Sequence, residues 1–303
     1  LILLGFLITK NADVIAKNME GFWQTTWTHM ADGKVVSVEV LSGWMLMAAL
    51  GTAMVGSLFA SDSWHNIAFT ASEVINPERN VARAMAFGTI LVTLIYVLAN
   101  VAYILLLPVV GLPDGGNELA RGIQFATSDR VGTAAASEIF GGASATIMAV
   151  LIMISTFGCN NGLILAGARV YYAMSKDGLF FKKAGSLNEH SVPGWALVAQ
   201  SIWASVLCLS GTYGDLLDYV IFAVLIFYIL TVVGIFVLRK KRPLAPRPYK
   251  AFGYPVMPAL YVIVASAIAI DLLIFKPQYT WPGLGIVLLG IPVFFIWRRK
   301  QTA

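Results

Sequence analysis

Seven stretches of the chain contain no Asp, Glu, Lys or Arg: 40–61, 84–113, 139–168, 191–214, 219–238, 251–270 and 277–297. A helix needs about 20 mostly apolar residues to cross the hydrocarbon of a bilayer, and each run can supply them. The runs are continuous, without the alternation of a lipid-facing strand, so a strand barrel is excluded. In a bilayer core without water, helices are then the remaining way to satisfy every backbone N–H and C=O. Composition agrees: 58% of the 303 residues are hydrophobic and only 12% are charged, against about 25% charged in an ordinary soluble domain. A soluble enzyme, a disordered chain and a nucleic-acid binder are thereby ruled out. The net charge of +5 does not revive the last, because the basic residues fall in short loops between apolar runs. The expected fold class is an all-α polytopic membrane protein embedded in the lipid bilayer.

Residues 1–9, LILLGFLIT, are too short to span. They have neither a charged n-region nor a small-residue cleavage site, so they are not a signal peptide. The chain does not begin with Met. The expectation is that Leu1 lies inside a helix whose first half is absent, the 303 residues being the C-terminal part of a longer protein. Loops on one side then hold Lys10, Lys17, Lys34, Arg121, Arg130 and Lys276. The other side holds Arg79, Arg83, Lys176, Lys182, Lys183, Arg239, Lys240, Lys241, Arg242, Arg247, Lys250, Arg298, Arg299 and Lys300. Arg169, near a helix end, is left out of this balance. The positive-inside rule makes the second side, including the C-terminus, cytoplasmic. Trp44, Trp281 and Trp297 fall near expected helix ends, where they either form an aromatic belt or are simply packed.

One span is unusual. From Val40 to about Asn76 the sequence is mostly apolar, too long for one crossing and too short for two. Its centre crowds Gly56, Ser57, Ser61, Asp62, Ser63, His65 and Asn66 together. Two crossings would turn every later basic loop outward. One tilted or discontinuous helix fits better, broken near Ser61–Ser63, with a second half from Trp64 to Ile75 ended at Asn76-Pro77. An ionisable residue inside a membrane usually faces a cavity or pathway, and opened backbone is tolerated there only where it lines one or is buried in protein. The break is therefore a substrate-site candidate, unless the boundaries are shifted and Asp62 reaches a surface. A second polar group lies in the 139–168 run: Ser155, Thr156, Gly158, Cys159, Asn160, Asn161 and Gly162. Gly158 and Gly162 are a spacing that lets helices approach closely. Asn161 is either a site residue or an interhelix bridge, since amides in hydrocarbon need partners.

These residues resemble a family. Phe59-Ala60-Ser61-Asp62-Ser63-Trp64, followed by Glu73-Val74-Ile75-Asn76-Pro77-Glu78-Arg79-Asn80, is similar to the sixth helix and following loop of the amino acid–polyamine–organocation (APC) superfamily. Within it the L-type amino-acid transporter (LAT) family is the nearest match. Phe157-Gly158-Cys159-Asn160-Asn161-Gly162, with Ala168-Arg169 and Ser175-Lys176-Asp177-Gly178, resembles the eighth helix and its cytoplasmic end. The basic, Pro-rich stretch 239–254 resembles the loop between the tenth and eleventh helices. The resemblance covers residues 1–303 as an APC-type permease domain, from the end of the fifth helix through the twelfth, with the broken sixth helix at about 40–76. It implies a LeuT-type inverted-repeat fold, incomplete at the N-terminus, with substrate held between broken first and sixth helices.

Carried over to this sequence, the resemblance makes Phe59 an aromatic gate. Ala60, Ser61, Asp62 and Ser63 become unwound backbone donors and acceptors, Asn66 a pocket residue, and Phe157 and Asn161 the eighth-helix wall. The family often has Gly at the place of Ser63 and Asn or a similar residue at the place of His65. Asp62, with counterparts in part of the family, either tunes substrate charge or carries a proton. His65 either titrates or simply faces a neighbouring helix.

The function so implied is secondary active transport of amino acids by alternating access, as sodium-independent exchange of neutral amino acids. The alternatives are a proton-coupled amino-acid or polyamine symporter and a truncated, non-transporting membrane protein. Residues 1–303 alone are not expected to transport. No enzyme is expected: His29, His65 and His190 lie in separate regions, and neither HExxH nor GxSxG occurs. No cofactor or metal is expected either, Cys159 and Cys208 being too few for a zinc site. Eukaryotic members of the family pair with a heavy-chain glycoprotein through a loop cysteine; with both cysteines inside apolar runs, that partner is not expected. The partners expected are an amino-acid substrate and lipid, in a bacterial inner membrane. The segment 114–142 reads as an outer loop with a short helix that helps cap the site.

Overall fold

The computed structural model describes residues 2–8, 11–209, 213–247 and 249–299. Leu1 and Thr9 of the opening apolar stretch, Lys10 and Lys300 of the charge balance, and residues 210–212 of the 191–214 run lie outside the described residues. The chain is mostly helical. In order come α1 (Ile2–Ile8), α2 (Ala12–Met19), β1 (Thr26–Ala31), β2 (Lys34–Val40) and α3 (Gly43–Ala60). A 3-10 helix, Asn66–Glu73, leads to α4 (Pro77–Leu106), α5 (Glu118–Arg121), α6 (Val131–Phe140) and α7 (Ser144–Lys176). The rest is α8 (Gly194–Cys208), α9 (Tyr213–Lys241), α10 (Val256–Phe275) and α11 (Pro277–Arg299).

Among the described residues six helical stretches are long and apolar enough to cross a membrane, not seven. The 191–214 run contributes α8, which has 15 residues and is about 22 Å long, short of a bilayer core of about 30 Å. The expected break is present, but its second part is not an α-helix: the eight residues Asn66–Glu73 are 3-10, with Thr70 out of helical geometry. Pro77 opens α4, where its missing N–H costs nothing. Glu78 in that first turn complements the helix dipole.

The chain divides into two compact units: residues 1–46 with 89–160, and residues 47–88 with 161–303. In the first, β1 and β2 form an antiparallel hairpin. Asp32 and Gly33 at its tip have φ of 51° and 73°, the left-handed pair that an Asp-Gly turn supplies. This hairpin is the one departure from an all-helical chain among the described residues. Segment 114–142 carries two α-helices rather than one. Ala134 and Ala135 of α6, with Ala126 between the two helices, pack on Leu106 and Leu107 at the end of α4. That end is closed by Asn18, which is buried. Its Nδ2 donates to the carbonyls of Ile104 (2.8 Å) and Leu107 (2.9 Å), and its Oδ1 accepts from the Val109 amide (2.7 Å). Leu107 precedes Pro108, where a helix cannot easily continue.

In the second unit, Val55 of α3 packs with Ile221, Phe222 and Leu225 of α9 and with Ala265, Ile268, Ala269 and Leu272 of α10. In lipid such contacts gain by close packing rather than by leaving water, which suits the small residues Ala265 and Ala269. Gly51 has the Asp271 side chain directly against its Cα, so that even a Cβ there would overlap it. This core fixes the end of α3 beside α9.

Candidate functional site

The C-terminal end of α3 opens into a five-residue turn, Ser61–His65. Ser and Asp bond their own backbone in non-helical forms, and so favour helix ends. Ser61 illustrates it: its amide still bonds Ser57 O at 3.0 Å, but its hydroxyl donates to Leu58 O at 3.1 Å. The next amide, Asp62, reaches only three residues back, to Phe59 O at 3.1 Å. Ser63 then takes φ 68°, the left-handed conformation natural to glycine. Past it, Asn66 N–H donates to Ser63 O at 3.1 Å and Ala68 N–H to His65 O at 2.8 Å, starting the 3-10 helix. Among the described residues the amides of Ser63, Trp64 and His65 donate to no backbone carbonyl, and the carbonyls of Ser61 and Asp62 accept from no backbone amide. Donors and acceptors are thus left open beside a helix terminus whose carbonyls carry partial negative charge.

Three polar side chains meet at this turn. Tyr228 of α9 donates its hydroxyl hydrogen to Asp62 Oδ1, and the Tyr228 hydroxyl oxygen lies 2.8 Å from His65 Nδ1. The His65 ring stands edge-on to Tyr228, centroids 5.1 Å apart, and to Phe69 at 5.2 Å. Trp64 packs on the other side, 6.0 Å from the Tyr228 ring. Asp62 and His65 are half-buried. Beyond the 3-10 helix, Glu73 Oε1 pairs with Arg169 of α7 at 2.6 Å.

Of the residues singled out in sequence, Ala60, Ser61, Asp62, Ser63, His65 and Asn66 lie in or next to the turn, and Phe59 occupies the last turn of α3. Asp62 and His65 are joined through Tyr228. Asn161 is exposed on α7 and makes no side-chain hydrogen bond among the described residues; Phe157 is 79% exposed. A Cβ at Gly158 or Gly162 would meet nothing within 4 Å, so among the described residues no helix packs closely on this glycine pair. Tyr228 and the Glu73–Arg169 pair were not singled out as site residues. Tyr228 does carry a signal: Ile221, Leu225 and Tyr228 stand at i, i+4 and i+7 on the packed face of α9, and a tyrosine hydroxyl in an apolar helix needs a partner.

A model of the amino acid permease family matches residues 1–295. The serine/threonine exchanger SteT of Bacillus subtilis (strain 168) is 30% identical over 256 residues, covering 84% of this chain and 56% of the relative. Large neutral amino acids transporter small subunit 2 of Homo sapiens is 28% identical over 246 residues, covering 80% of this chain and 43% of the relative. The human b(0,+)-type amino acid transporter 1 is 26% identical over 285 residues, covering 86% and 55%. The chain spans about half the length of the curated relatives it matches. With its six membrane-length helices and a family match along nearly its whole length, this chain is a multi-pass membrane protein that belongs to the amino acid permease family, of mostly helical architecture consistent with the LeuT-type fold.

Proposed function

We propose that the protein exchanges neutral amino acids across the cell membrane without sodium, and that the turn Ser61–His65 is where the substrate's charged ends are held. The observation that carries this reading is the set of backbone groups left open at the end of α3. An amino-acid zwitterion presents a carboxylate for the amides of Ser63, Trp64 and His65. Its ammonium suits the carbonyls of Ser61 and Asp62, the Asp62 carboxylate and the negative end of the α3 dipole. Phe59 is the aromatic cover, Asn66 faces the substrate side chain, and Asn161 supplies a wall from α7. The names of SteT and of the large neutral amino acids transporter subunit support the substrate class and, for SteT, exchange. The basic residues Arg239, Lys240 and Lys241 at the end of α9 support a cytoplasmic placing of 239–254 and of the C-terminus. No heavy-chain glycoprotein is required in this reading.

The test is uptake of labelled serine or leucine into proteoliposomes holding the full-length protein. Exchange requires uptake that rises with unlabelled amino acid inside and is unchanged when choline replaces sodium. Uptake driven into empty vesicles by an inward proton gradient would replace exchange with the symport reading, which the carboxylate at the break favours. Absence of saturable uptake under every gradient would remove both.

A further inference from the structure

We infer that His65, Tyr228 and Asp62 form a proton relay across the helix break. This rests on the reading of the turn as the substrate site, and gives that site a control by pH. The geometry is a chain of two hydrogen bonds through one hydroxyl. The hydroxyl of Tyr228 has one hydrogen and gives it to Asp62 Oδ1. Toward His65 Nδ1, at 2.8 Å, it can therefore only accept, so Nδ1 carries a hydrogen. This arrangement suits an ionised Asp62 with either a neutral His65 in its Nδ1–H form or an imidazolium.

One proton moving along the chain reverses both bonds. The Nδ1–H bond of the imidazolium breaks as a new O–H bond forms on Tyr228. The original Tyr228 hydrogen passes to Asp62 Oδ1. A neutral His65 then accepts from Tyr228, and a neutral carboxylic acid donates to it. Charge disappears from both ends together and Tyr228 ends as it began. Among the described residues the other titratable group facing this cluster is Tyr261 of α10, which lies in the field of Asp62; Trp64, which also reaches the Tyr228 hydroxyl, and Phe69 flank the imidazole with uncharged rings. The consequence falls on the open carbonyls next to Asp62, where a substrate ammonium meets a carboxylate in one relay state and an uncharged acid in the other.

The first experiment needs no transport. The full-length protein is labelled with 15N-histidine, the 303 residues contributing three histidines, and an H65N variant assigns the signal of His65. At alkaline pH, with Asp62 ionised and the imidazolium proton gone from the chain, the relay requires His65 to sit in the Nδ1–H form rather than the Nε2–H form that free histidine favours, and Y228F to return it to Nε2–H. D62A, which removes the acceptor for the Tyr228 hydrogen, serves as the second variant should Y228F not fold, with the loss of the Nδ1–H preference expected again. An Nε2–H form in the unaltered protein at alkaline pH, or an Nδ1–H form that survives both variants there, overturns the relay. The second experiment compares exchange rate with pH. A profile that changes about tenfold between pH 5 and 8 in the unaltered protein and flattens in Y228F, whatever that variant's absolute rate, supports the relay. Identical profiles overturn it while leaving amino-acid exchange standing. Total absence of exchange removes the transport reading and leaves the tautomer measurement to judge the relay.

Discussion

Two helix ends in this chain solve one problem in opposite ways. The last carbonyls and amides of a helix have no intrahelical partner, and in apolar surroundings each unmet group is costly. At the end of α4 a side chain distant in sequence, Asn18, takes two carbonyls and gives an acceptor to one amide, using three of its hydrogen-bonding sites within 2.9 Å. At the end of α3 the chain's own short side chain Ser61 takes a carbonyl. The chain leaves the amides of Ser63, Trp64 and His65 open and places a carboxylate and an imidazole beside them. A closed end is scaffold. An open end with titratable neighbours is prepared to receive something polar. The difference lies in which groups are left unmet, for both helices are long, apolar and of ordinary composition.

This contrast can be broken from either side. N18A has the largest expected effect on stability, a loss of about 2–3 kcal/mol from leaving buried groups unpaired, read as a fall of several degrees in the thermal midpoint. Amino-acid affinity in the folded fraction stays unchanged. D62N reverses the pattern: apparent affinity for substrate falls about tenfold, or about 1.4 kcal/mol, while the thermal midpoint stays within about two degrees. S63G relieves the left-handed serine and raises stability by about 1 kcal/mol, with exchange retained; S63V loses both. The smallest effect belongs to E73Q. Its half-exposed pair with Arg169 contributes at most about 1 kcal/mol, visible only as a slight change in midpoint.

How much of this could be read from sequence follows from where polarity stands out. The break was legible because Ser61, Asp62 and Ser63 interrupt an apolar run that is too long for one crossing. Its second half was expected as α-helix and is 3-10, since composition is the same for both and only the tight i to i+3 bonds distinguish them. Tyr228 was hidden because one tyrosine in a helix such as 219–238 is unremarkable until its partners are known. The hairpin carries its signal in Asp32-Gly33, between valine-rich and Thr/Trp-bearing stretches, but it lies in a segment whose charges read first as loop. The residues 191–214 read as a full crossing because they lack charge, yet α8 occupies only Gly194–Cys208. Phe157 has only the resemblance behind its site role, Asn161 also an amide in an apolar run, and both side chains stand on exposed stretches of α7.

The most direct measurement is hydrogen–deuterium exchange on the full-length protein with and without a saturating neutral amino acid. The two helix ends report within one experiment. Amides 61–66 are expected to become protected about tenfold or more when substrate is present, while amides 104–109 at the Asn18-closed end do not change. Saturable amino-acid binding that leaves 61–66 exchanging at its free rate would contradict the assignment of the open turn as the substrate site.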